Sequence, residues 1–186
     1  MDIKLPGLLT ALVAKAPVLG AKLSSFNADK AREVPGVRMV LPLEGPIQQG
    51  VAVVAETYWA AKMGRDALEI EWDNGANESL SSETIRAAML EAGDTAEDPV
   101  LALDEGDVDS VRAVKTINAV YEQPYLAHAP MEPMNLTVWV KKDGVDIYGG
   151  TQAQGPNQCT IAQVLGMKPD QIRITSTHLG GGFGRR

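Results

Sequence analysis

Apolar and polar positions in residues 1–74 follow strand-like and helix-like spacings in turn. The spacing predicts strands over residues 8–13, 37–41 and 51–55. The last of these is a continuous apolar run, which is typical of a strand buried on both faces. In a further strand Leu68, Ile70 and Trp72 alternate with acidic residues, so these three side chains are expected to share one core face.

Two helices are expected between these strands. The shorter covers residues 28–33 and has Asn27 as its cap, because Asn accepts backbone N–H groups at helix starts. The longer covers residues 56–66, with Trp59 and Met63 one turn apart on its inner face. Helices and strands mixed in this order predict an α+β fold.

Residues 73–109 form a second zone that is acidic and rich in small residues at both ends. One amphipathic helix is expected over residues 83–91, ended by Gly93. Its inward positions are Ile85, Ala88, Met89 and Ala92. The acidic cluster at 104–109 lacks the alternating ligands and closing Glu of a calcium loop, so a solvated face is the simpler interpretation.

The third zone begins near residue 111 and contains a hairpin signal. Alternating residues at 136–140 lead through Asp143-Gly144 into 145–148, and an Asp-Gly pair between such runs favours a tight turn. A helix over 157–165 and a last strand over 172–175 are expected to follow, with Gly166 ending the helix. The inward positions of that helix are Ile161, Ala162 and Leu165.

The composition of the chain disfavours or excludes several kinds of partner and site. The 186 residues are 45% hydrophobic and 22% charged, as in globular proteins, and the formal charge is −7. That charge disfavours a nucleic-acid partner, which needs clustered basic residues. The single cysteine, Cys159, excludes an internal disulfide and a multi-cysteine metal site, and it is expected to be a buried structural thiol. No apolar run reaches the roughly 18 residues of a membrane span, and no signal-peptide pattern opens the sequence.

Candidate chemistry lies in three segments of the third zone. His128 and Glu132 stand in a proline-rich segment; they could form a metal or acid–base pair, or tie irregular backbone together. Residues 149–156 are a strand-to-helix loop containing Gln152, which is either a capping loop or a polar-ligand site. Residues 180–184 are glycine-rich around Phe183, as in a tight corner around a buried ring or in a loop whose N–H groups cradle a ligand. The two loops could face one ligand.

These segments together resemble a known family. Ala127-His128-Ala129-Pro130-Met131-Glu132-Pro133, then Thr151-Gln152, then Gly180-Gly181-Gly182-Phe183-Gly184 are similar in order and spacing to the molybdenum-binding large subunit of the xanthine dehydrogenase and aldehyde oxidase family. Residues 5–9, 34–37 and 51–55 resemble that family's α/β-hammerhead domain. Arg185-Arg186 is most like the isoquinoline 1-oxidoreductase beta-subunit branch.

The resemblance implies a hydroxylase that inserts oxygen from water into a C–H bond of an N-heterocycle or an aldehyde. It implies a molybdenum–molybdopterin cofactor, with a cytosine dinucleotide form among the alternatives, and a small [2Fe-2S] partner subunit that receives electrons. It assigns cofactor contacts to the Gln152 side chain and to the backbone N–H groups of Gly182, Phe183 and Gly184. The family's catalytic glutamate lies downstream of the segment that these 186 residues match, so no catalytic residue is expected among them. Residues 1–186 alone are expected to be inactive and free of cofactor.

The resemblance also predicts a domain division. Residues 1–74 would be the hammerhead domain, 75–110 a connector, and 111–186 the first part of the molybdopterin-binding domain, in a chain that is part of a longer protein. A non-catalytic binding or subunit-docking module and a stand-alone ligand-binding domain are the alternatives. The family allows a periplasmic parent, but the sequence fixes no compartment.

Overall fold

The computed structural model describes residues 3–45, 49–95, 100–107 and 109–186 of the chain. They divide into two compact units, residues 7–122 and residues 123–186 with the described part of 1–6. The strands are β1 Thr10–Lys15, β2 Lys22–Asn27, β3 Val37–Leu43, β4 Gly50–Ala55, β5 Glu69–Asp73, β6 Thr137–Val140, β7 Val145–Tyr148 and β8 Ile172–Thr175. The α-helices are α1 Asp29–Arg32, α2 Tyr58–Asp66, α3 Ser82–Thr95 and α4 Gln154–Leu165. The mixed α+β fold class is therefore confirmed.

The unit at 7–122 is built around β4. This strand lies between β1 and β3 and is antiparallel to both. Val51, Val53 and Ala55 are fully buried, and Ala52 is nearly so, which confirms a strand covered on both faces. A separate antiparallel pair joins β2 to β5, and Phe26, Leu68 and Ile70 pack against the same core cluster.

Two strand predictions differ from the structure. The first strand begins at Thr10, two residues later than expected, and β2 was not predicted. The reason is its sequence, Lys-Leu-Ser-Ser-Phe-Asn, in which polar residues dominate and a register shift between Leu23 and Ser25 breaks the alternation. The alternation of Leu68, Ile70 and Trp72 is confirmed, but all three side chains are only partly buried.

The inner face of α2 differs from the sequence expectation. Trp59 is 65% exposed and Met63 is 42% exposed, whereas Ala60, Ala61 and Gly64 are buried. The prediction of Trp59 and Met63 as core residues was wrong because the helix approaches the sheet too closely for large side chains. Thr57 caps this helix by accepting the N–H of Ala60 at 3.1 Å.

The helix α3 is longer and less covered than predicted. It continues through Gly93 to Thr95, so Gly93 does not end it. Ile85 is partly buried, but Ala88, Met89 and Ala92 are exposed, and the prediction that they face inward was wrong. An apolar stripe needs a facing surface to become buried, and the described residues provide little cover for this one.

The unit at 123–186 is a three-stranded sheet with one covering helix. The β6–β7 hairpin is antiparallel with Val140 opposite Val145, as the Asp-Gly turn predicted, and β8 lies parallel to β7. Its small core is lined by Val145, Ile147, Ala162 and Ile172. Gly166 ends α4 in the left-handed conformation with φ 64°, which is also as expected.

The orientation of α4 corrects two further expectations. Leu165 is 47% exposed, although it was expected to face the core. Cys159 is exposed, although it was expected to be a buried thiol. The face that meets the core is set by Gln158, which donates its side-chain N–H to the Ile172 carbonyl at 2.7 Å, and by Ala162, which is buried. Position 159 lies to one side of this face, whereas Leu165 shares the face but is the last residue of the helix and stays half exposed.

Candidate functional site

Two loops meet at one edge of the β6–β7–β8 sheet. Since β7 and β8 are parallel and Tyr148 is in register with Thr175, the loops that follow them leave from the same edge. The Gly149 N–H donates to the Thr175 carbonyl at 3.2 Å, and the Ser176 hydroxyl donates to the Thr151 carbonyl at 3.3 Å. The two loops are therefore neighbours in the structure, and the expectation that they face one ligand stays a prediction.

The first loop ends where α4 begins. The Thr151 hydroxyl accepts the Ala153 N–H at 3.1 Å and a side-chain N–H of Asn157 at 2.8 Å, which orders the turn into the helix. Gly150 packs closely there, because a Cβ would lie 1.7 Å from a terminal methyl of Leu179, and any larger residue would make that side chain move. Gln152, two residues after Gly150, is exposed on this loop.

The side chain of Gln152 reaches the second loop. Its Nε2 donates to the Gly184 carbonyl at 3.0 Å. A primary amide has two N–H groups and one carbonyl oxygen, so this bond fixes the plane of the amide while leaving a second donor. The structure therefore brings together two of the four residues for which the resemblance implies cofactor contacts.

The glycine loop is a tight turn with unusual backbone angles. The Arg185 N–H donates to the Gly182 carbonyl at 3.0 Å, and Phe183 and Gly184 have φ values of 51° and 83°. The Phe183 side chain is 71% exposed, so the alternative of a corner around a buried ring was wrong. Positive φ in a large residue is uncommon and marks a segment whose backbone is held by its surroundings.

The surroundings that hold this loop are Glu132 and Arg186. One carboxylate oxygen of Glu132 accepts the Gly180 N–H at 3.0 Å and the Arg186 guanidinium at 2.5 Å. The other accepts a side-chain N–H of Asn135 at 3.1 Å. The structural alternative for Glu132, a residue that ties irregular backbone together, therefore agrees with the geometry.

The electrostatic state of Glu132 follows from these contacts. The Gly180 N–H, the Asn135 amide and the Arg186 guanidinium together hold the pKa of Glu132 far below its usual range. An always-ionised carboxylate accepts hydrogen bonds but has no proton to give, so Glu132 is suited to holding structure and not to acid catalysis. His128 is exposed, and the described residues contain no group of three His, Cys, Asp or Glu side chains that could hold a metal ion.

A cleft of about 470 Å³ opens beside the two loops. Its polar lining includes Thr151, Gln152, Asn157 and Arg185. Most of the lining is apolar, and its polar groups are amide, hydroxyl and guanidinium groups with no carboxylate among the described residues, so the polar part suits an oxygen-bearing group of a ligand. Gly182, Phe183 and Gly184 lie outside this lining, so their expected cofactor contacts remain a prediction.

Sequence reasoning missed Arg186 as a buried member of this assembly. Its guanidinium is almost wholly enclosed, yet in the sequence it is one of two adjacent arginines 54 positions from Glu132. The available signal was the proline-rich segment itself, since a rigid non-helical stretch with one carboxylate needs donors from elsewhere in the chain.

Comparison with known proteins places the chain in a family. The family model described as the molybdopterin cofactor-binding domain matches residues 92–186. The beta subunit of isoquinoline 1-oxidoreductase from Brevundimonas diminuta is 32% identical over the whole chain, and the membrane-bound aldehyde dehydrogenase [pyrroloquinoline-quinone] of Gluconacetobacter polyoxogenes is 31% identical. The chain spans 25% of the length of each of these two relatives.

Solved structures share the fold. Quinoline 2-oxidoreductase from Pseudomonas putida 86 superposes with a TM-score of 0.67 at 16% identity, over 98% of this chain and 28% of its own. A Cu,Mo-dependent CO dehydrogenase superposes with a TM-score of 0.62, also at 16% identity, over 100% of this chain and 29% of its own. Within the described residues no helix has the length and apolar character needed to cross a bilayer. The family match covers about half of the chain and agrees with the resemblance read from the three motifs, so this chain belongs to the molybdopterin cofactor-binding domain family.

Proposed function

We propose that the chain is part of the molybdenum-binding subunit of a hydroxylase that oxidises N-heterocycles or aldehydes with oxygen from water. The observation that carries this proposal is the family match over residues 92–186, which contain the Gln152–Gly184 contact at the shared edge of β7 and β8. The relatives named for isoquinoline and aldehyde oxidation support these two substrate classes.

The neutral donors of the two loops support this proposal. The second N–H of Gln152 and the backbone N–H groups of Gly182, Phe183 and Gly184 would hold the molybdenum cofactor by hydrogen bonds. Neutral donors suit this task, because they can stabilise oxygen atoms of a bound group without competing as metal ligands. A bound molybdenum–molybdopterin group would supply the two-electron oxidation chemistry. The chain's own contribution is then to orient and stabilise, through a Gln152 amide fixed by Gly184.

Further parts of the proposal concern the rest of the subunit. We assign residues 1–74 to a hammerhead domain, 75–110 to a connector and 111–186 to the start of the cofactor domain. A small [2Fe-2S] subunit is the expected electron-accepting partner, and the cytosine dinucleotide form is the proposed cofactor variant. Residues 1–186 alone are expected to be inactive and cofactor-free, because the proposed catalytic glutamate and most cofactor-binding segments belong to other parts of the parent.

Cofactor analysis of the purified full-length parent tests the proposal. We expect about one molybdenum per large subunit, since a single cofactor carries the chemistry of the site, and release of a cytosine nucleotide on acid hydrolysis. Because one relative carries pyrroloquinoline quinone in its name, the same sample is assayed for that quinone. A parent with quinone and no molybdenum would overturn the assignment, and a parent with neither would favour the non-catalytic docking module.

A further inference from the structure

We propose that Glu132 and Arg186 are positioning residues of the cofactor loop. Together they fasten residues 180 and 186, the two ends of a seven-residue loop, to the segment 130–135, and so set where Gly184 meets Gln152. The inference rests on the proposed function of this site and adds two residues to it.

The first anchor is at Gly180. Its N–H donates to the Glu132 carboxylate at 3.0 Å, and its carbonyl accepts the Glu132 N–H, also at 3.0 Å. A Cβ at this position would lie 2.4 Å from the Glu132 Cβ, so only glycine allows the two segments to come this close. The contact therefore fixes both the distance and the direction of the chain as it enters the loop.

The second anchor is at Arg186. Its guanidinium donates to the Glu132 carboxylate at 2.5 Å and to the Pro133 carbonyl at 2.7 Å, and its Nε lies 3.3 Å from the Met134 sulfur. The side chain is only 2% exposed. A buried guanidinium is stable only when its charge and donors are satisfied, so this arrangement holds one orientation and leaves the loop little freedom.

Between the anchors lie the atoms expected to act on the cofactor. Gly182, Phe183 and Gly184 form the turn, and the Gly184 carbonyl orients the Gln152 amide. Since the Glu132 carboxylate contacts both ends of the loop, losing its charge would loosen both at once. A misplacement of about 1 Å in a reacting site can lower its rate about 100-fold, so the loosening should be visible in turnover.

The test uses the full-length holoenzyme with Glu132→Gln, which keeps the side-chain length and one acceptor oxygen but removes the charge. The matched control is Glu122→Gln, which neutralises a carboxylate that pairs with Arg86 at an exposed site. Turnover per bound molybdenum is measured together with amide hydrogen exchange of the 180–186 segment. We expect a roughly 10–100-fold lower turnover and faster exchange in Glu132→Gln, with both values unchanged in the control.

Other outcomes decide against the proposal. Exchange in residues 180–186 that matches the wild type would show that Glu132 does not hold the loop. Faster exchange with unchanged turnover would overturn the positioning role, while the molybdenum assignment, which depends on metal content, would stand. If Glu132→Gln yields no folded holoenzyme, Arg186→Lys decides, because it keeps the charge but cannot donate to Glu132 and Pro133 in the same planar geometry. Wild-type turnover and exchange in Arg186→Lys would then refute the proposal.

Discussion

Replacing Gly64 by Ala tests how closely α2 packs on its sheet. In a helix interior this change normally stabilises, because Gly costs about 0.5–1 kcal/mol relative to Ala. In this chain an added Cβ would lie 2.9 Å from the Val37 side chain and 2.9 Å from that of Val53. Both neighbours are β-branched and stiff at χ1, and Val53 is fully buried, so neither can move aside cheaply.

The two effects oppose each other, and crowding should win. Adding atoms to a well-packed core costs about 1–3 kcal/mol, and contacts shorter than 3.0 Å to two rigid side chains place this change at about 1.5–2.5 kcal/mol. Gly64 lies in the last turn of a nine-residue helix, so the propensity gain belongs near the lower limit of about 0.5 kcal/mol. We therefore expect Gly64→Ala to lower the free energy of unfolding by about 1–2 kcal/mol.

Urea denaturation followed by far-ultraviolet circular dichroism measures the effect. With a typical m-value of about 2 kcal/mol/M, the midpoint should fall by roughly 0.5–1 M. Gly93→Ala in α3 is the control, because no heavy atom lies within 4 Å of its added Cβ, and its midpoint should not fall. A Gly64→Ala variant as stable as the wild type would refute the close packing of α2.

Further predictions concern single side chains. Trp59→Ala should change the free energy of unfolding by less than about 0.5 kcal/mol in the same assay, because Trp59 is 65% exposed. A larger loss would show that Trp59 is a core residue. Trp72→Ala should lower the free energy of unfolding by about 1–3 kcal/mol, which is less than for a fully buried Trp because the side chain is only partly covered. A smaller loss would show that Trp72 does not contribute to the core. Ile172→Ala should cost about 2–5 kcal/mol, since Ile172 is 1% exposed, and a shift under about 1 kcal/mol would contradict the core at 123–186. The pKa of Asp146 is lowered by Lys141 and then by Arg173, so its stabilising effect is present above about pH 4 and is lost as the pH falls through the folded-state value. Unfolding measured from pH 5 to pH 3 should therefore depend less on pH in Asp146→Asn than in the wild type, and equal slopes would contradict this assignment.

Local patterns in the sequence predicted the elements whose signals are themselves local. The Asp143-Gly144 hairpin, the buried run at Gly50–Ala55 and the glycine stop at 166 depend on neighbouring residues, and the structure has all three. The strand β2 was missed because its partner β5 lies more than 40 positions away, and a polar, bulged strand shows no clear period by itself.

Burial was harder to predict because it depends on how closely elements approach. Trp59 and Met63 have the correct helical spacing for a core face, but small residues one position away allow tighter contact and are buried instead. The exposed positions of α3 show the same limit, since amphipathic spacing does not reveal whether a facing surface is present.

The candidate site was predicted in part. The sequence predicted a strand, a helix and a strand with a loop after each strand, and the parallel pairing of β7 with β8 in the structure brings the Gln152 loop and the glycine loop together. The pairing of Glu132 with Arg186 joins segments 54 positions apart and has no periodic signal, so it became visible only in the folded chain.

The proposed action of Gln152 on a molybdenum cofactor is tested by comparing two glutamine variants. Steady-state turnover and molybdenum content are measured in the full-length parent for Gln152→Ala and for Gln163→Ala, an exposed glutamine of α4 that serves as the control. We expect a turnover roughly 10–1000-fold lower in Gln152→Ala with most of the molybdenum still bound, and wild-type turnover in Gln163→Ala. Phe183→Ala should lose less, because its backbone N–H survives the substitution. Wild-type turnover in Gln152→Ala at full molybdenum loading would refute this role of Gln152 and leave residues 149–156 as a capping loop.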